Sequence, residues 1–283
     1  RSNMSIIINT NVGAVVTSKN LVSNQRELDR VTERLSSGKK TIYASDDAAG
    51  VAIAGRMEAQ IRGLNAGIKH AKDGKSLVAT AEGSMQAISK VLQRMRELAV
   101  QAASGTANHS DKDYLNIEMS NLVAQIEEMS LNSKFNGRQL LRGEQFSFYT
   151  DHDVGGMKIT TTPADMAVTS LGVPATTVSI GGGVPQSNLS TVVQAIDTAL
   201  ATVSTKRAHL GAVSNRFDHI MKNLQTVISN TERSRSTMID ADFSEESTQF
   251  TQTTIIQQGA TSMLAQANAQ KNLVLSLFNQ PER

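Results

Sequence analysis

The feature that most constrains this chain is the spacing of its apolar residues, which repeats at seven near both ends and not in the middle. Ile8, Val15 and Val22 form one such row, and Leu21, Leu28 and Leu35 form a second. A seven-residue repeat puts side chains on one stripe of a helix, and that stripe needs a partner helix to cover it. Residues from about 6 to 103 and from about 189 to 278 read as long helices of this kind. The stretch 143–188 between them is rich in Gly, Thr and Ser and carries no such pattern. The fold this implies is mainly α: a long antiparallel coiled coil or helical bundle formed by both termini, with a small β-hairpin region in the middle. Pairing of the termini is then the working part of the molecule.

The first helix is expected over Asn11–Leu35, stopped by Ser36-Ser37-Gly38, where Gly suits the left-handed residue after a helix end. The second restarts near Asp46 or Asp47, either of which can cap it. Its seam runs Met57, Ile61, Leu64, Ile68, Ala71, then Met85, Ile88, Leu92, Met95, Ala99 and Ala102. Lys75, Val78 and Ala81 step by three and three between them, a local break in heptad phase. Gly105 ends this helix, and Ser110 with Asp113 forms a capping box for the third. The third seam is Leu115, Met119, Leu122, Ile126 and Met129. Asn136-Gly137 marks a tight hairpin turn, and Gln145–Tyr149, Met157–Thr161 and Thr177–Ile180 read as short strands. Ser190 can cap the fourth helix, whose seam runs from Ile196 to Val227, and Asp242 with Glu245 caps the last. That last helix is rich in Gln and Thr and only weakly amphipathic, so it is expected not to fold alone.

Composition narrows the function. Aromatic residues make up 4% of the chain and there is no Trp, which suits thin helical seams rather than a wide globular core. There is no cysteine, which excludes disulfides, thiolate metal sites and a cysteine nucleophile. The formal charge of +2 gives no electrostatic reason to expect nucleic acid. No apolar run approaches the roughly 18 residues a membrane span needs, and no cleavable export signal precedes the first helix. Met4 reads as the natural start of the chain. His70, His109, His152, His209 and His219 form no H-x-x-x-H set, and there is no G-x-S-x-G, P-loop or dinucleotide fingerprint. No enzymatic activity, metal or cofactor is expected. Asp46-Asp47 reads as a helix cap rather than a carboxylate pair for metal or acid–base work, since no third ligand follows at spacing. The methionines on seam positions read as core packing.

Several motifs then resemble one family. Glu33-Arg34-Leu35-Ser36-Ser37-Gly38, followed by Ala44-Ser45-Asp46-Asp47-Ala48-Ala49-Gly50, is similar to the N-terminal signature of bacterial flagellin. Gln93 to Gln101 resembles its core segment, and Phe135-Asn136-Gly137 the turn after its third helix. Leu210 to Phe217 and Leu264-Ala265-Gln266-Ala267-Asn268 resemble its C-terminal region. The final helix departs at Ala269-Gln270-Lys271-Asn272-Leu273, where many relatives carry a proline. The resemblance implies a short family member with a minimal central region. Residues 1–45 and 236–283 then form the inner terminal-helix domain, 46–142 and 189–235 the helical core domain, and 143–188 a small β or loop region. It also implies export, unfolded, through the flagellar secretion channel to an extracellular filament that serves motility. The implied partners are further copies of the chain, an export chaperone on the C-terminal helix, and hook-associated and cap proteins. Neither nucleic acid binding nor membrane insertion is expected. Two rivals are the hook–filament junction protein, which shares parts of both termini, and a soluble surface or receptor-binding protein.

Two sets of residues carry the expected contacts. For the assembly seam they are Ile8, Val12, Val15 and Val22 facing Leu264, Ala267, Val274 and Phe278. The second set is Gln93, Arg94, Arg96, Glu97 and Leu98 with Glu118 on the third helix. The plain reading of that set is a solvated helix face with i,i+4 relations. The resemblance implies more: an inter-subunit surface which, in the monomer, is read by the vertebrate Toll-like receptor for flagellin. The Thr/Ser-rich middle offers either an O-glycosylated surface or ordinary strands and loops.

Overall fold

The computed structural model describes residues 10–104, 107–150 and 158–278. In chain order the elements are α1 (Val12–Ser37), α2 (Ala48–Ala102), α3 (His109–Asn132), β1 (Lys134–Phe135), β2 (Arg138–Gln139), β3 (Phe146–Tyr149), β4 (Lys158–Thr161), α4 (Gln186–Ile239) and α5 (Phe243–Phe278). The fold is mainly α, as the heptads imply. Ile8, Gly105, Gly155, Gly156 and Met157 lie outside the described residues. The chain divides into two compact units, one of residues 1–58 and 231–283, the other of residues 59–230. The division falls within α2 and α4.

In the first unit α1 and α5 run antiparallel. Asn11 caps α1 by accepting from the Ala14 N–H at 3.0 Å, and Gly38 ends it with φ +68°. The loop that follows is held at both ends. The Lys40 N–H donates to the Ile239 carbonyl at 2.8 Å, and the Ala241 N–H donates to Gly38 at 3.0 Å. Within the loop, Asp46 Oδ2 accepts from the Tyr43 N–H at 3.1 Å, and the Tyr43 hydroxyl donates to Glu33 at 2.6 Å. That carboxylate raises the Tyr43 phenol above its ordinary pKa, first by accepting its proton in a hydrogen bond and then by its charge. Asp47, not Asp46, caps α2, accepting from the Gly50 N–H at 2.9 Å. Asp242 caps α5 through the Ser244 N–H at 2.8 Å. An ion pair joins Glu58 to Arg235.

The second unit carries a broad core. Buried on α2 are Ile61, Leu64, Ala71, Val78, Ala81, Met85, Ile88, Leu92, Met95, Ala99 and Ala102, and on α4 Ile196, Val203, Leu210, Phe217 and Leu224. Three ion pairs tie these helices together: Lys75–Asp218 at 2.7 Å, Glu82–Arg207 at 2.8 Å and Arg96–Asp197 at 2.7 Å. As the partner on α2 moves forward, the partner on α4 moves back, which is the mark of antiparallel helices in one register. The capping box of helix α3 sits two residues earlier than expected. Its capping box is Asn108 with Asp111, because Asn108 presents an acceptor to the Asp111 N–H at 2.7 Å and Asp111 answers at 3.2 Å. The β1–β2 hairpin turns on Asn136 (φ +50°) and Gly137 (φ +79°), the left-handed pair a two-residue hairpin requires. Strands β3 and β4 pair antiparallel, with Phe146 opposite Thr161 and Phe148 opposite Ile159 on the covered face.

Two expectations change here. Thr177–Ile180 is not a strand: the Ile180 N–H donates to Asn116 Oδ1 at 2.9 Å, so α3 takes the bond a neighbouring strand would have taken. Helix α4 begins at Gln186 after Pro185, which leaves Ser190 inside it. Residues 158–184 also pack on this core, since Met166, Val168, Leu171, Val173, Val178 and Ile180 are buried in it. Glu127 fastens them, accepting from Arg142 at 2.5 Å and from the Val168 N–H at 3.1 Å. Asp165 is held below the usual carboxylate range, chiefly by the hydroxyl of Ser170, which donates to it at 2.7 Å.

Two glycines make close approach possible. A Cβ at Gly67 would stand 2.5 Å from the Thr150 carbonyl oxygen, and one at Gly74 would stand 2.5 Å from the Phe217 ring and 3.2 Å from Phe148. Those rings meet edge to face with centroids 5.7 Å apart. Gly83, on the same helix, faces open space. Alanine therefore has opposite effects at two positions of α2. Gly74→Ala is expected to destabilise the second unit by about 1–3 kcal/mol through overpacking. Gly83→Ala is expected to stabilise it by about 0.5–1 kcal/mol through helix propensity. Urea melts of both variants check the signs.

Candidate assembly and receptor surface

The seam between α1 and α5 mixes apolar and polar residues, and among the described residues Val31 is its one fully buried apolar side chain, beside buried Glu246 and Thr253. From α1 it takes Ala14, Thr17, Leu21, Asn24, Leu28, Val31 and Leu35, and from α5 Glu246, Gln249, Thr253, Gln257, Ala260, Leu264 and Ala267. Both sets step by three and four, so both are coiled-coil seams. The Asn11 amide donates to the Ala267 carbonyl at 3.1 Å and the Asn24 amide to the Thr253 carbonyl at 3.0 Å. Gln249 donates to Glu27 at 3.3 Å, Gln257 to Gln25, and Arg34 to Glu246 at 3.4 Å. Glu246 Oε2 and Gln257 Oε1 are buried without a hydrogen-bond partner.

The structure corrects half of the expected seam. Leu264 and Ala267 do face α1, but Val12, Val15 and Val22 face away from α5 and are 47–63% exposed. The two heptad rows of α1 are one residue apart in phase, and the longer Leu row fills the seam. Ile8 lies outside the described residues, and Val274 and Phe278 fall within α5 with side chains outside the description. Helix α5 exposes Phe243, Ile255, Ile256 and Met263 as well. Thr248, Thr251, Gln252, Ile255 and Ile256 line a shallow groove on its outer side. Each helix thus keeps apolar side chains that its partner does not cover.

The second set lies in the other unit. Gln93, Arg94, Arg96 and Glu97 are exposed on α2, and Glu118 stands beside them on α3. Arg94 is the centre: its guanidinium donates to Glu118 at 2.9 Å and to Glu97 at 3.1 Å. These two carboxylates, Glu118 first, raise the Arg94 pKa and so keep it charged. Arg96 turns instead to Asp197 on α4, a partner the sequence did not point to. Leu98 is a correction, because it is fully buried in the core and presents nothing to a partner. Helix α2 is tied to α3 through Arg94 and to α4 through Arg96, so its covered face is wider than one heptad seam and takes in Leu77, Ser89 and Leu98 too. Val100, Tyr114 and Ile117, off every predicted seam, are exposed on the same two helices.

The comparisons with known proteins decide the family. The model of the bacterial flagellin N-terminal helical region matches residues 8–145, and that of the C-terminal helical region matches residues 193–278. A flagellin of Halalkalibacterium halodurans is 37% identical over 273 residues, covering 96% of this chain and all of the relative. The chain belongs to the bacterial flagellin family. A second flagellin, from Bacillus subtilis, is 34% identical over 96% of this chain and 99% of its own. A solved structure described as a flagellar hook-associated protein of Vibrio parahaemolyticus shares the fold, with a TM-score of 0.60 over 69% of this chain and 99% of that one, at 14% identity. The full-length match to flagellins disfavours the junction-protein rival. This flagellin is therefore a structural subunit of a flagellar filament. Among the described residues, no helix is long and apolar enough to cross a membrane.

Two substitutions on α2 separate surface from core. Leu98→Ala is expected to lower stability by about 2–4 kcal/mol, the cost of a cavity at a fully buried site. Arg94→Ala, which removes only solvent-exposed ion pairs, is expected to leave the melting curve close to that of the parent. Thermal melts of the two variants check this contrast.

Proposed function

We propose that the chain is exported unfolded through the flagellar secretion channel and completes its folding as it polymerises. The observation that carries this reading is the state of α1 and α5. Their mutual seam is mixed and buries few apolar side chains fully, and apolar residues stand uncovered on their outer sides. A helix with apolar residues on several sides belongs in a surrounded position. Neighbouring copies would cover Val12, Val15 and Val22 on one subunit and Ile255, Ile256 and Met263 on another. Identical head-to-tail contacts that do not close give an open helical polymer. Burial at roughly 25 cal/mol per Å² then offsets the ordering entropy only within the filament.

The same features support the finer partners. A C-terminal helix with uncovered Ile255, Ile256 and Met263 suits helix-in-groove capture by an export chaperone, and the filament ends suit hook-associated and cap proteins. In the free monomer the Arg94 cluster, with Gln93, Arg96, Glu97 and Glu118, is the surface we assign to the vertebrate Toll-like receptor. A guanidinium held by two carboxylates on a rigid helix pair is a preorganised anchor. Use of the same face between subunits would hide it in intact filaments.

Deleting residues 259–280 is expected to abolish filaments on seeding while leaving the second unit's melting transition in place. Normal filaments in electron micrographs would refute the reading. Arg94→Ala monomer is expected to need roughly tenfold more protein for half-maximal receptor signalling in reporter cells, in keeping with loss of an interface anchor. An unchanged dose response would remove Arg94 from the receptor surface.

A further inference from the structure

The chain has no cysteine, so methionine is its only sulfur. Among the described residues, Met85, Met95, Met119 and Met166 are fully covered by the core of the second unit. Met57, Met129, Met221 and Met238 are partly covered. Met263 differs from all of these: it is 63% exposed, on α5. It follows Ile256 by seven residues, so the two share one flank of the helix, beside the seam residues Ala260 and Leu264. The placement is chemically selective. Exposure sets how fast a thioether meets a dissolved oxidant, and position sets what its oxidation does.

We propose that Met263 is an oxidation site through which peroxide-class oxidants control polymerisation. This rests on the reading that a neighbouring copy covers the outer side of α5. In the reaction the Met263 Sδ lone pair attacks one peroxide oxygen. The O–O bond breaks, an S–O bond forms, the sulfur loses two electrons, and hydrogen peroxide leaves as water after proton transfer. The product is methionine sulfoxide. Its oxygen is a strong acceptor set on an apolar flank, next to Ile256, and covering that flank would strip the oxygen of water without offering a donor. The oxidised subunit stays soluble and is rejected by the filament end. Methionine sulfoxide is reducible, so the block is reversible. Within a filament the covered sulfur is protected, and the control acts on free subunits.

The test uses the full chain as monomer, hydrogen peroxide as probe, and sonicated filaments of the same protein as seeds. Peptide mass mapping over a peroxide time course is expected to show Met263 oxidised at least about tenfold faster than Met85, Met95, Met119 and Met166. At the point where Met263 is converted, elongation on seeds is expected to fall about tenfold or more, and methionine sulfoxide reductases are expected to restore it. M263L, which keeps size and apolarity, is expected to elongate like the parent and to keep elongating after the same peroxide exposure. M263Q, which places a polar group there permanently, is expected to elongate as poorly as the oxidised parent. Comparable oxidation rates at Met263 and the core methionines would overturn the proposal. So would unimpaired elongation of the oxidised parent, or equal peroxide sensitivity in M263L. Failure of the untreated parent to elongate would overturn the filament reading and the switch with it, whereas the other adverse results overturn the switch alone.

Discussion

The rest of the structure depends on the mixed, part-polar seam between α1 and α5. Two helices of 26 and 36 residues meet there, α1 mainly through Leu, Val and Ala and α5 mainly through Glu, Gln and Thr, so apolar side chains face polar ones. Each cross-seam hydrogen bond replaces bonds to water, so its net contribution is small, about 0.5–1.5 kcal/mol. The buried and unpartnered oxygens of Glu246 and Gln257 work in the other direction. Such a seam fixes direction and register well, because each amide meets one carbonyl and Arg34 meets one carboxylate. It contributes little towards the ordering entropy of two long helices. The pair is therefore specified in geometry but marginal in stability, and the missing stabilisation has to come from surfaces it leaves open.

The second unit solves the opposite problem. Its helices bury Leu, Ile, Val and Met across a wide face, and residues 158–184 add more. Ion pairs at the edge of α2 and α4 set their register without entering the core. Gly67 and Gly74 let Thr150 and the Phe148–Phe217 pair approach the α2 backbone. The result is a firm platform on which the Arg94 cluster is held in place by neighbouring helices rather than by a loop. A subunit made of one self-sufficient unit and one that needs neighbours is suited to a polymer. Such a division fits the proposed route, in which the core folds alone and the remainder is completed among other copies.

Much of this was legible from the residues alone. The seams of α2, α3 and α4 followed from 3–4 spacing because one-sided burial leaves a periodic trace. The Asn136-Gly137 turn followed from the left-handed geometry that only such pairs accept easily. The failures have physical causes. Helix α1 carries two heptad rows, and periodicity cannot choose between Val15–Val22 and Leu21–Leu28–Leu35 without knowing which row the partner can fill. Leu98 was taken for a surface residue because one seam was assumed where α2 has two neighbours. Residues 163–185 carry their buried side chains on an irregular backbone, fastened by Asn116, Asp113 and Glu127, and irregular packing has no period to read. The partner of Arg96, Asp197, lies 101 residues away, a distance that only the fold brings together.

The central claim is that α1 and α5 are marginal as a pair and become stable through contact with other copies. Backbone amide exchange, compared between monomer and filament, reads this most directly. In the monomer, amides of α1 and α5 are expected to exchange orders of magnitude faster than those of α2 and α4 around Met85, Met95 and Phe217. In the filament they are expected to become as protected as that core. Protection of α1 and α5 in the monomer equal to that of the second unit's core would contradict the account.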